Sequence, residues 1–521
     1  MAVNDPTVPA VLSDEEELHK LGYAQELVRR MSGFSNFAIS FTIISILSGC
    51  LTLFYFGMFV GGPAVIIWGW LGVGVMTLFV GLAMAEVCSS YPTAGGLYYW
   101  AAKLAPRNGP AWSWFTGWFN FIGQVAVTAG IDFGCAFFIN AFLNLEFGLG
   151  EAHWQTILIF AIVLLVHGLL NQFGIKLVAL LNDVSVWWHI LGVLIIVAVL
   201  IFVPSHHLSA KDAFTGLYNG TGFNIGWWYI IPIGLLTAQY TFTGYDASAH
   251  LTEETHQAST AGPRGIVMSI VVSLAAGWVL LLGMVFALQG PIGGAKYLNE
   301  AGQLSAAPAQ IWTDAIGSTG AKLLLLIAIG AQLFCGMSSI TANSRMIYAF
   351  SRDNALPGSA FWHKVNPRTR TPTNAIWLGA AGALILGLPY LWNSVAYGAV
   401  TSIAVIGLYI AYVLPTLLRR IRGASFQAGP WSLGKWSAPV GWIAIVWVAI
   451  ITILFMLPQF GPFTDHGTLD LNTFNYAVVA VVVVIGYAGI YWLVSARKWF
   501  TGPKVQGTAE ELAAIERELE V

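Results

Sequence analysis

The chain has 521 residues, of which 9% are charged and 57% hydrophobic, whereas about 25% of an ordinary soluble domain is charged. A net charge of −2 gives no basic footprint for nucleic acid, which is not expected as a partner. Cys50, Cys88, Cys135 and Cys335 all fall inside apolar runs, so no extracellular disulfide framework is expected.

About 20 helical residues cross a hydrocarbon core. Counting on that basis predicts twelve spans, at 34–58, 64–88, 112–143, 154–172, 184–203, 227–250, 264–289, 321–345, 374–391, 396–417, 439–459 and 474–495. The runs are continuously apolar rather than alternating, which excludes a β-barrel and makes the chain an all-α integral membrane protein. With a cytoplasmic N-terminus, 20 of the 23 Lys and Arg lie inside; only Lys211, Lys296 and Lys322 lie outside. That asymmetry follows the positive-inside rule and puts both termini in the cytoplasm. Residues 1–33 are too polar and acidic for a cleavable signal, so the first span is expected to direct insertion.

In chain order, 12–31 (LSDEEELHKLGYAQELVRRM) predicts a short amphipathic helix, with Ser13 as N-cap and Arg29-Arg30 in its last turn. Span one clusters Ser45, Ser48, Gly49, Cys50 and Thr52 at its middle, a pattern that serves either close packing or unwinding. Near the inner end of span two stands Glu86, expected to pair with a nearby Lys, Arg or backbone donor rather than to bind substrate, before Pro92 and Gly95-Gly96 turn the chain. Span three carries Asn120, Gln124, Thr128, Asp132 and Cys135 on one helical arc, and such a stripe faces the bundle or a water-filled path. Asp132 is either a hydrogen-bonded buried acid or a contact for a cationic group. In span five, His189 either bonds a neighbouring helix or carries a coupling proton.

Span six is the most informative. Its apolar first half stops at Tyr240-Thr241-Phe242-Thr243-Gly244-Tyr245-Asp246, resumes as helix to His250 and is expected to reach water at Glu253-Glu254. A glycine-interrupted helix at membrane depth must satisfy its freed backbone groups, and a bound solute is one source of partners. Spans one and six lie five apart, so a five-helix repeat inverts its second copy. That arrangement predicts a five-plus-five core over 34–417, two added helices over 418–500 and cytoplasmic ends at 1–33 and 501–521. Opposed half-helix ends suit a carboxylate and an ammonium, hence a zwitterion. Asp246 either caps the inner half-helix or contacts the ammonium. Asp132 and Asp246 together would equally suit a polyamine or choline.

LGYAQEL at 21–27, AEVCSSYPTAGGLYYWAAKLAP at 85–106, TFTGYDASAHLTEET at 241–255 and AFSRDNALPGS at 349–359 resemble blocks of the amino acid–polyamine–organocation permeases. The similarity is greatest to the amino acid/choline transporter family, which includes γ-aminobutyrate permeases. It implies the leucine-transporter-like fold, with substrate cradled by Ser48, Gly49 and Cys50 and by Phe242, Thr243, Gly244, Tyr245 and Asp246. Gln124 and Thr128 are expected to complete that site from span three. Proton-coupled members place a lysine in span five after a Gly-Val-Lys segment; counted from Gly174-Ile175-Lys176, the place holds His189 here. The expectation is a plasma-membrane secondary transporter importing an amino acid or γ-aminobutyrate by proton symport, with His189 and Asp132 as coupling candidates. The alternatives are an organocation transporter and a non-transporting sensor. No enzyme, cofactor or metal site is expected, because His206-His207 lacks further ligands at metal spacing.

Overall fold

Backbone at membrane depth has few partners beyond its own helix, so uninterrupted apolar runs become continuous helices. The computed structural model describes residues 13–173, 175–302, 307–461, 470–471 and 473–520. Among these, eleven helical stretches are long and apolar enough to cross a membrane. The sixth expected span is absent from that set because it is divided into pieces too short to cross singly.

Helix α1 (Asp14–Leu21) forms with the expected cap: the Ser13 hydroxyl accepts the Glu16 N–H at 3.2 Å and Glu16 accepts the Ser13 N–H at 2.8 Å. It stops earlier than expected. Gly22, at φ 98°, closes it in the left-handed region, so Arg29 and Arg30 lie in a non-helical strap. The first span follows as α2 (Gly33–Ile44), α3 (Gly49–Thr52) and α4 (Phe54–Val60). Next come α5 (Pro63–Ser90), the short α6 (Gly96–Leu104), α7 (Gly109–Phe147), α8 (His153–Phe173), α9 (Ile175–Phe202) and the short α10 (Ala210–Thr215). The sixth stretch is α11 (Trp227–Gly234), α12 (Leu236–Thr241) and α13 (Ala247–His250). The chain continues through α14 (Ala258–Phe286), α15 (Ala295–Gly302), α16 (Ala307–Arg352, bent at Gly317), α17 (Ser359–Trp362), α18 (Thr373–Gly387) and α19 (Ala396–Arg422). Last are α20 (Ser437–Met456), α21 (Tyr476–Val494) and α22 (Ala509–Glu520), the helical tail.

Helix α7 is the axis of the bundle, packed against α8, α16, α18 and α19, while α5 and α2 pack on α14. Burial shows the layering: 89% of the best α7 window is inside the protein, against 17% for α21. Helices α20 and α21 are therefore flanking elements whose apolar faces suit lipid.

At the basic end of the bundle residues 19–26 and residues 506–516 clasp each other. His19 meets Glu516 at 2.8 Å, and Gln506 accepts the Ala24 N–H at 2.7 Å while donating to Glu26 at 2.6 Å. Beneath them the Asp353 carboxylate accepts from Tyr98 at 2.7 Å, Tyr23 at 3.1 Å and the Lys504 N–H at 3.0 Å. Burial raises this carboxyl above its usual range, against the pull of Arg352 and those three donors. Glu253 and Glu254 do not reach water as the sequence suggested. Both are buried, Glu253 against Arg352 at 3.0 Å and Glu254 against Arg345 at 2.7 Å. Their position just past a membrane helix reads as surface only until the cations of α16 come alongside. Glu86 finds the expected cations, Arg419 and Arg420, each at 3.5 Å.

Candidate functional site

The two interruptions meet at the centre of the bundle. In the first span, Ile44 ends α2 and residues 45–48 are unwound, with Ser45 left-handed at φ 34°. The unwinding therefore precedes the expected Ser48-Gly49-Cys50 by one turn, and Gly49 and Cys50 begin α3. In the sixth stretch residues 242–246 are unwound between α12 and α13, where the sequence put them. The glycines interlock. A Cβ on Gly49 would lie 2.7 Å from Thr241 Oγ1, and one on Gly244, at φ 87°, would overlap Ile43 Cγ2.

Side chains from other helices satisfy the freed backbone, as membrane depth requires. The Ile43 carbonyl accepts from Cys335 Sγ at 3.2 Å, and the Phe242 carbonyl accepts from the Tyr409 hydroxyl at 2.5 Å. Gly244 N–H donates to the Tyr412 oxygen at 3.3 Å, and Ser40 Oγ donates to the Tyr245 carbonyl at 2.9 Å. Ser48 donates to Gln332 at 3.0 Å. Between the breaks lies a void with room for about one water, walled by neutral side chains and backbone of Ile44, Ser48, Gly49, Ile131, Tyr240 and Thr243 among others. Larger cavities of about 560 Å³ open at either end. The basic-end cavity reaches Ile39, Asn182, Leu251 and Thr341, and the other reaches Tyr55, Phe56 and Phe59 of α4.

Of the predicted site residues, Ser48, Gly49 and Thr243 wall the void. The others stand behind it. Phe242 lies 4.4 Å from the Trp70 ring, Tyr245 lies 4.9 Å from that of Tyr412, and Cys50 bonds back to the Ile46 carbonyl. Thr128 meets Ser339 at 2.8 Å. Asp246 stands just before α13, at its N-cap position, without capping it; instead its carboxylate accepts from Gln124 Nε2 and the Tyr412 hydroxyl, both at 2.7 Å. His250, one turn on, places Nε2 3.2 Å from the same carboxylate while Nδ1 faces the Ala94 carbonyl at 3.0 Å.

His189 is buried beside the first break. Its Nε2 lies 2.7 Å from Ser45 Oγ, and Nδ1 lies 2.8 Å from the Ser185 carbonyl, to which it donates. Gly174, from which the lysine correspondence is counted, lies outside the described residues. Asp132, also buried, faces His167 of α8 with Nδ1 at 3.1 and 3.2 Å from its two oxygens. Sequence reasoning missed His167, His250 and Tyr412. For His167 and Tyr412 the signal was a titratable or hydroxylated ring inside an apolar run; His250, at the polar end of its span, carried no such signal.

A multi-pass membrane protein with two facing helix breaks is a solute permease in architecture. The chain belongs to the amino acid permease family, whose model matches residues 31–486, and the family's activity is amino acid transport across a membrane. It is 44% identical to amino-acid permease BAT1 of Arabidopsis thaliana over 95% of this chain and 97% of that one. Its identity to the BAT1 homolog of Oryza sativa is also 44%, over 93% and 94% of the two chains. To the GABA-specific permease of Saccharomyces cerevisiae it is 32% identical, over 94% of this chain and 86% of the other.

Proposed function

We propose that this chain is a proton-driven symporter importing a zwitterionic amino acid of the γ-aminobutyrate kind across the plasma membrane, with both chain ends cytoplasmic. Helices α11, α12 and α13 together form one broken crossing in this reading, which brings the total to twelve. The first ten crossings pair as two inverted sets of five, and α20 and α21 are the appended pair. The observation that carries the reading is the interlock of the breaks, Gly49 against Thr241 and Gly244 against Ile43. Any solute binding there separates surfaces that otherwise touch, so occupancy and helix position are linked. The void's neutral wall suits a solute that brings both charges itself. The likeness to a GABA-specific permease supports the substrate class.

The test is uptake into proteoliposomes with a competition panel of amino acids, γ-aminobutyrate, polyamines and choline. Competition by amino acids or γ-aminobutyrate is the expected result. Competition by polyamines or choline alone would transfer the site to organocations, and no uptake of any member would favour a sensor.

Asp246 is assigned a positioning role: it ties α13 to Gln124 of α7 and Tyr412 of α19. Asp246→Asn substitutes an NH₂ group for an acceptor among donors, and a buried unpaired donor costs about 1–3 kcal/mol. The expected result is a fall in kcat/KM of about tenfold, corresponding to ~1.4 kcal/mol, equal for all transported solutes. A rise in KM confined to amine-bearing solutes would instead make Asp246 the ammonium ligand.

A further inference from the structure

Three buried histidines could carry a proton, and their surroundings differ. His250 donates from Nδ1 to the Ala94 carbonyl, its Nε2 faces the Asn120 amide at 3.2 Å, and the Asp246 carboxylate beside it is already bonded by Gln124 and Tyr412. His189 faces a serine hydroxyl and a backbone carbonyl, which satisfy the neutral ring. His167 faces a carboxylate at 3.1 Å, and both members of that pair are almost wholly buried, at 1% and 0% exposure. From the geometry of this last site, we infer that the Asp132–His167 pair binds the coupling proton. The inference rests on the proton-symport reading above and adds the site to it.

The charge balance gives the pair two states. With Asp132 ionised and His167 neutral, Nδ1–H donates to the carboxylate and the unit carries one net negative charge. One added proton on the free ring nitrogen makes an imidazolium–carboxylate pair with no net charge. A buried net charge is costly, while a close, oppositely charged pair is tolerated. The loaded pair therefore suits the closed bundle, and the unloaded pair favours an arrangement that lets water in.

The groups packed around Asp132 leave this balance intact. From α16 it is faced by the Cys335 thiol, from its own helix by Cys135, and from α12 by the Tyr240 hydroxyl. Tyr397 of α19 reaches the neighbouring Gly130 carbonyl at 3.4 Å, and Gln332 and Thr52 approach Gly134. On the α8 side, Asn171 donates to the His167 and Met337 carbonyls, both at 3.0 Å, and accepts from Thr341 at 2.6 Å. All of these are neutral in both states of the pair.

Gly336 of α16 makes the pair possible. A Cβ there would overlap Asp132 Oδ1 and come 2.7 Å from the His167 ring. The preceding residue, Cys335, is the one that donates to the Ile43 carbonyl freed by the first break. A shift of the pair against α16 therefore reaches the substrate break through adjacent residues of one helix, which is a physical connection between proton and solute.

The experiment uses full-length protein in proteoliposomes. Uptake of γ-aminobutyrate, or of the panel member giving most wild-type uptake, is followed under an imposed pH gradient and in counterflow, which needs no net proton movement. For Asp132→Asn the expected result is at least a tenfold loss of gradient-driven accumulation with counterflow kept within a few fold. For His167→Gln the pH profile of uptake should flatten relative to the wild type. Gradient-driven accumulation by Asp132→Asn at the wild-type level would overturn the inference. So would a Asp132→Asn protein dead in both assays beside a His167→Gln protein with the wild-type pH profile. Wild-type accumulation that ignores the pH gradient would overturn proton symport itself and leave the amino acid permease in place.

Discussion

Gly244→Leu and Gly49→Leu are each expected to reduce uptake to background while the protein still inserts and elutes as a folded species. At Gly244 two effects add. The left-handed φ of 87° costs a residue with a side chain about 1–3 kcal/mol, and its Cβ would occupy the place of Ile43 Cγ2. At Gly49 the obstacle is backbone as well as side chain, since a Cβ would come 2.9 Å from Thr241 Cα. Backbone cannot rotate aside, so either α3 or α12 must move and the facing breaks lose register. Gly486→Leu is the control, because that glycine of α21 has no neighbour within 4 Å of an added Cβ and should transport normally. Near-normal uptake by both break variants, per unit of folded protein, would remove the breaks from the transport site.

Arg345→Met is expected to lose most of its folded yield. The guanidinium is 1% exposed and its Nε donates to Glu254 Oε1 at 2.7 Å, so truncating it strands a carboxylate inside the protein. Leaving one member of a buried pair costs about 3–5 kcal/mol, a large part of the ~5–15 kcal/mol that holds a typical native state. Removing both charges is far cheaper. Arg345→Met combined with Glu254→Leu should recover folded yield, measured as the monodisperse fraction after mild heating in detergent. A double variant no more stable than the single one would show that the pair matters for its other contacts, not for its charge.

The parts of this molecule visible in the sequence are those set by local rules. Continuous apolar runs announced the helices, and the cluster Thr243-Gly244-Tyr245-Asp246 marked the second break because glycine and polar groups at membrane depth need a reason. The first break was displaced by a turn because serines both pack helices and unwind them, and the choice fell to Ser45, which took up the left-handed backbone beside His189. Partners were not visible. Asp246 has the sequence position of an N-cap, yet Gln124 and Tyr412, more than a hundred residues away on either side, claim its oxygens. Glu253 and Glu254 looked like a surface pair for the same reason: their cations lie about a hundred residues later. Charge at a helix end is ambiguous until the opposing helix is known.

The strap before α2 has a mechanical consequence. Arg30 and Met31 both donate their N–H groups to the Glu254 carbonyl, at 2.9 and 2.8 Å, and His256 N–H returns a bond to Met31 at 2.9 Å. Higher up, Ser40 and Ser248 meet at 2.7 Å, and Asn36 donates to the Ser248 carbonyl at 3.0 Å. Helix α2 and helix α13, far apart in the chain, are thus riveted at two levels into a single arm. The unwound residues 45–48 and 242–246 lie side by side at one end of it, and the contacts between residues 19–26 and 506–516 lie toward the other. Joined in this way, neither half-helix can swing about its break without carrying the other or breaking these hydrogen bonds.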